Sequence, residues 1–272
     1  MMSTYVPAIM FKKVRTRPGA PAAPTFRPIP LRDWLGMRRF MRRVTAGPDT
    51  LVPPMETFKG SASSLSDPEL ARLLASDELG TWALDGATIE VLWERLQAER
   101  PRTVLEFGAG VSTVILARYA QWRAAQGLQR AVIVSVEQDA KVRDKVEKRL
   151  AENEISEGVH VLHAPLSEAS RYQIDSNAIR QCLGEYAIDW VLIDGPAGPD
   201  GCRVSTLPDV MELCADGARW FLDDALRDGE IGILREWSRL RNVTVEGIYP
   251  IGKGLATGTV SRATVAATAR SN

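Results

Sequence analysis

From residue 103 onward the chain alternates short, nearly continuous apolar runs with longer stretches whose apolar residues recur every three or four positions. Residues 104–107, "AVIVSVE", "VHVLHA", "DWVLIDG" and "ARWFLDD" are of the first kind; residues 112–125 and 140–152, "LPDVMELCA" and "GEIGILREWSRL" are of the second. Two β-like stretches, "NVTVEGIYP" and "GTVSRATVAAT", close the chain. Strands without polar alternation are buried on both faces, and helices between them supply the cover. The pattern predicts an α/β fold: a doubly wound, mostly parallel sheet with helices on both faces. A further helix is expected over 85–100, with apolar positions 89, 92, 93 and 96, ending at Pro101.

Ligands of such sheets sit beyond the carboxyl ends of the strands, so the residues placed there are the candidates for chemistry. The first strand runs into "EFGAGVST". Gly108 and Gly110 allow a tight turn and close approach of a ligand to the helix that follows. A dinucleotide fingerprint requires a third glycine or alanine three residues after the second, where this chain has Thr113. Glu106, two residues before the first glycine, would repel a pyrophosphate and attract a cationic amino-acid portion of a ligand. The second strand also ends in an acid, Glu137.

The stretch "VLEFGAGVST" resembles the first motif of class I S-adenosylmethionine-dependent methyltransferases. That resemblance extends from about residue 82 to 249 and implies a Rossmann-like methyltransferase fold. It implies S-adenosyl-L-methionine bound by Glu106, Gly108, Ala109, Gly110, Ser112, Thr113, Glu137, Gln138 and Asp194, with adenine near His163 and Ala164.

The fourth and fifth strands end in Asp194 and in the pair Asp223–Asp224. If these strands are neighbours, three carboxylates share one edge, and a hard divalent ion such as Mg²⁺ relieves their repulsion. The arrangement is similar to the metal-dependent O-methyltransferases of the catechol and antibiotic-sugar types, which implies Asp194, Asp223 and Asp224 as metal ligands. The other reading has Asp223 capping a helix and Asp224 paired with Arg227 or Arg203. Two positions depart from those families: Pro196 stands where the sugar type has a second aspartate, and Ala197 where the catechol type has lysine. Asp194, Asp224 and His163 are the catalytic candidates, with Asp200 and Lys253 as further candidates for the base. Trp82 and Tyr172 are placed to shape an acceptor pocket for a small molecule or sugar. The competing functional classes are a nicotinamide-dependent oxidoreductase and a non-catalytic scaffold with a basic binding arm.

Composition sets the remaining bounds. With 272 residues, 45% hydrophobic and 25% charged, the chain suits one sizeable core with an extension. Residues 1–60 form that extension, basic and proline-rich, and 61–272 the cofactor-binding domain. "LRDWLGMRRFMRRV" reads as a short amphipathic helix whose apolar stripe meets its own domain or the second copy of a homodimer. Cys182, Cys202 and Cys214 show neither zinc nor disulfide spacing. No run approaches the roughly 20 apolar residues of a membrane span, so a cytoplasmic location is expected, with nucleic acid an improbable partner.

Overall fold

The computed structural model describes residues 27–45 and 55–262. The first part of the proline-rich extension and the end of the last expected β-stretch lie outside them. In chain order the elements are α1 (Leu31–Thr45), α2 (Pro68–Leu73), α3 (Gly86–Glu99), β1 (Thr103–Phe107), α4 (Val111–Ala125), β2 (Val132–Glu137), α5 (Ala140–Glu152) and β3 (Val159–His163). They continue with α6 (Ser176–Leu183), β4 (Ile188–Ile193), α7 (Thr206–Val210), β5 (Cys214–Leu222), α8 (Asp228–Trp237), β6 (Val243–Tyr249) and β7 (Leu255–Val260).

The seven strands form one sheet in the order β3-β2-β1-β4-β5-β7-β6. β1 to β5 pair in parallel, while β7 is antiparallel to both its neighbours. The chain winds outward from β1 through β2 to β3, then returns to β4 on the other side of β1. That reversal opens a crevice at the carboxyl ends of β1 and β4.

Local signals set the helix starts. Asp67, Asp85, Asp139 and Asp175 each accept a hydrogen bond from a backbone N–H in the first turn of α2, α3, α5 and α6. Pro68 occupies the first turn of α2, where its missing N–H costs nothing. The helix expected over 207–215 is cut short. After α7 a 3₁₀ turn spans Met211–Leu213, and Cys214 is already in β5, paired with Ile188 of β4. Buried strand pairing there overrides the local helical pattern.

Each face of the sheet carries a core. Ile89, Leu96, Ile115, Tyr119 and Leu150 pack on one side, and Leu105, Ile193, Leu207, Ile231 and Trp237 on the other. α1 belongs to the second side: Ile29 exchanges backbone hydrogen bonds with Ile248 at 2.8 and 2.9 Å, and Trp34 is buried. Leu31 and Leu35 pack against the same cluster, so these positions of the stripe face the chain's own sheet.

Phe221 lies fully buried with its ring centroid 4.4 Å from that of Trp190. Phe221→Ala is expected to cost about 3–5 kcal/mol of stability, measured as a lowered urea midpoint.

Candidate active site

The bend after β1 depends on glycine. Gly108 has φ +92°, and a Cβ there would lie 2.9 Å from the Gly195 nitrogen and 3.1 Å from the Asp194 carbonyl carbon, so the ends of β1 and β4 nearly touch. Gly110 begins α4, its N–H donating to Thr113 Oγ1 at 2.9 Å. Glu137 holds the bend from the neighbouring strand. Its Oε2 accepts from the Ala109 N–H at 2.9 Å and its Oε1 from the Asp139 N–H at 2.8 Å.

These groups enclose a cleft of about 460 Å³. Gly108, Ala109, Gly110, Ser112, Glu137, Gln138 and Asp194, all singled out from sequence, line it. Gln138 reaches across to the loop after β4: its Oε1 accepts from the Ala197 N–H at 3.0 Å. Tyr172 packs on Phe107 with ring centroids 5.5 Å apart and forms the floor beside Gly195.

Four of the sequence candidates lie elsewhere. Glu106 is fully buried beneath the bend and does not line the cleft. Its Oε2 accepts from the hydroxyls of Thr113 and Ser135, both at 2.6 Å. Burial, against the pull of the Ser112, Ser135 and Thr113 hydroxyls, pushes its pKa up to about 7. Glu106 therefore braces the first turn of α4 from below, taking Thr113 out of the cleft with it. His163 is exposed at the end of β3 with Nε2 3.1 Å from the Gln138 carbonyl oxygen, and Ala164 donates its N–H to the Glu137 carbonyl at 2.8 Å. Neither reaches the cleft, because the end of β3 is two strands away from β1.

A second cavity, about 260 Å³, adjoins the first and shares Trp82, Asp194 and Ala197 with it. Trp82 stands at the common rim, 88% exposed. β4 and β5 are neighbours, so Asp194, Asp223 and Asp224 do converge, with one oxygen of each within 4.8 Å of the others. Three cations named in the sequence come with them: Arg203 and Arg227, expected as alternative partners of Asp224, are both present, and Lys253, expected as a candidate base, is a third. Arg203, from the 3₁₀ turn before α7, lies 3.3 Å from Asp224 Oδ2 and 3.7 Å from Asp194 Oδ1. Lys253, from the β6–β7 turn, lies 3.0 Å from Asp224 Oδ1 and 3.7 Å from Asp223 Oδ2. Arg227 adds a contact at 3.1 Å to Asp224 Oδ2.

Burial raises the pKa of Asp194 to about 7 and that of Asp223 well above the carboxylate range, with the neighbouring acids adding to the effect. Burial lowers the pKa of Lys253, but Asp223 and Asp224 more than offset it, so the ammonium keeps its proton and is no base.

Mg²⁺ requires near-octahedral oxygen donors at about 2.0–2.1 Å. Both oxygens of Asp224 already face cations, and an ion bound there would have an ammonium and two guanidinium groups as neighbours. The residues as arranged do not fit a magnesium ion.

No protein-family model matches the chain, and no curated protein matches its sequence. Solved structures do. The cofactor-bound Rv0187 from MTB is 21% identical with TM-score 0.54, covering 74% of this chain and 94% of that one. The O-methyltransferase from Bacillus cereus in complex with SAH is 16% identical with TM-score 0.50, covering 85% and 100%. The O-methyltransferase TomG from Streptomyces achromogenes, in complex with SAM, is 17% identical with TM-score 0.50, covering 86% and 100%. The chain has a class I methyltransferase-like fold.

Glu106 ionises at about 7 in the folded chain against an ordinary 4.5. The folded state thus holds the proton more tightly, and stability falls as pH rises through that window. Glu106→Gln removes this slope. Between pH 5 and pH 8 the variant is expected to gain on the wild type by roughly 3 kcal/mol, read from urea unfolding at both pH values.

Proposed function

We propose that the chain is an S-adenosylmethionine-dependent O-methyltransferase acting on a hydroxyl of a small molecule. The observation that carries this reading is the junction of two cavities at the β1–β4 crevice. One is lined by the glycine bend and Glu137, the other by charged groups suited to a polar acceptor, and Asp194 belongs to both. Structures that share the fold and hold SAM or SAH support it.

S-adenosylmethionine, when bound, would supply an electrophilic methyl group on a cationic sulfonium. The chain's share is alignment and exclusion of water. Glu137, fixed by two backbone N–H groups, presents a carboxylate to ribose hydroxyls. Gly108 and Gly110 leave room for the methionine portion against the start of α4. Asp194 is the carboxylate common to both cavities and receives the hydroxyl proton. Asp224 is held by three cations and His163 lies outside the cleft, so neither serves as base. No step needs a metal. A cytoplasmic setting suits the three free cysteines.

Calorimetry with S-adenosylhomocysteine tests the reading. The wild type is expected to bind, and Glu137→Ala to weaken binding about 10- to 100-fold, the loss of charge-assisted hydrogen bonds. A wild-type chain with no measurable binding overturns the proposal.

A further inference from the structure

The β6–β7 turn carries a lysine that the established features of the fold do not call for, and the turn is built to hold it. Gly252 and Gly254 flank Lys253 at φ +48° and +88°. A Cβ on Gly252 would meet Asp85 Oδ2 at 1.7 Å, and one on Gly254 would meet Leu226 Cγ at 2.5 Å. The backbone is pinned as well: the Leu226 N–H donates to the Lys253 carbonyl at 3.1 Å, and the Ala225 N–H to the Gly254 carbonyl at 2.9 Å. The ammonium, 4% exposed as a residue, faces three oxygens: Asp224 Oδ1 at 3.0 Å, the Thr81 carbonyl at 3.2 Å and Asp223 Oδ2 at 3.7 Å. Thr81 precedes Trp82, the exposed indole at the rim of both cavities.

We infer that Lys253 stands in the place of a divalent cation: its ammonium balances Asp223 and Asp224 and ties them to the Thr81–Trp82 turn, so that the second cavity is assembled without metal. A lysine ammonium offers three donors and one positive charge at a fixed point. Here the ammonium joins the end of β5, by ion pairs, to the segment before α3, by a hydrogen bond to the Thr81 carbonyl. Removing the ammonium takes the cation from Asp224 Oδ1 and Asp223 Oδ2, within reach of Asp194, while Arg203 and Arg227 stay on Asp224 Oδ2; oxygens so released are the donors a hard divalent ion takes. Only the statement that this cavity receives a methyl acceptor rests on the function proposed above; the charge arrangement does not.

Mn²⁺ titrated into the full chain and followed by electron paramagnetic resonance, with thermal unfolding in parallel, tests the inference. The wild type is expected to show no saturable Mn²⁺ binding up to about 1 mM, and no change in Tm with Mn²⁺ or EDTA. Lys253→Met is expected to acquire saturable binding and a Tm that rises with Mn²⁺, which loss of a merely structural contact would not produce. Should that variant fail to fold, Lys253→Gln takes its place, and the wild-type titration decides alone if both fail. Saturable binding to the wild type that Asp223→Asn abolishes overturns the inference, as does a folded Lys253→Met that ignores Mn²⁺. S-adenosylhomocysteine titrated into the same wild-type sample separates the two proposals: binding of both ligands defeats only the role of Lys253, and binding of neither defeats only the methyltransferase reading.

Discussion

Acidic side chains converge on one edge of a buried parallel sheet, and the cost of removing their charge from water governs what surrounds them. The convergence follows from topology. In a doubly wound sheet every parallel strand ends at the same edge, so an acid at the end of β1, β2, β4 or β5 is carried there whatever its sequence separation from the others. Glu106, Glu137, Asp194, Asp223 and Asp224 arrive by this route, and Glu230 joins them from α8 with its Oε1 3.9 Å from Arg203.

The two halves of the edge meet that cost differently. On the β1–β2 side the compensation is by dipoles: hydroxyls for Glu106, two backbone N–H groups for Glu137. Dipoles stabilise a carboxylate without cancelling its charge, so Glu137, which lines that cleft, leaves it suited to a cationic ligand. On the β4–β5 side the compensation is by full charges, from Arg203, Lys253 and Arg227. A sulfonium compound therefore meets a negative field in the first cavity and a balanced, polar one in the second. Asp194 stands on the border, with Arg203 at 3.7 Å from Oδ1.

Much of this was legible in the sequence, and the part that was not has a physical cause. Unbroken apolar runs such as "WVLID" announce strands covered on both faces, and the residue that ends each run is bound to lie at the crevice; Glu137, Asp194, Asp223 and Asp224 could be read that way. Side-chain direction could not. Every residue of β1 is buried, so no polar alternation tells whether Glu106 opens into the cleft or tucks beneath it. Its choice depends on Thr113 and Ser135, hydroxyls on two other elements. His163 misled for a related reason: it ends a strand as the others do, but β3 is the outer strand on its side. Arg203 was visible only as one of several possible partners, because a four-residue 3₁₀ turn is too short to show a period from which a side chain's reach could be inferred.

The place of Lys253 follows from the antiparallel strand. β7 pairs with β5 on one side and β6 on the other, both antiparallel, so β6 runs in the same direction as β5. The turn from β6 back into β7 must then lie at the edge where β5 ends, beside Asp223 and Asp224. Had β7 been parallel, its connection from β6 would have crossed the sheet and entered from the opposite edge. A hairpin at the end of the chain thus delivers a residue remote in sequence to the charge cluster that the parallel strands created. The glycines on either side let the turn press against Asp85 and Leu226 closely enough for a buried ammonium to reach its oxygens.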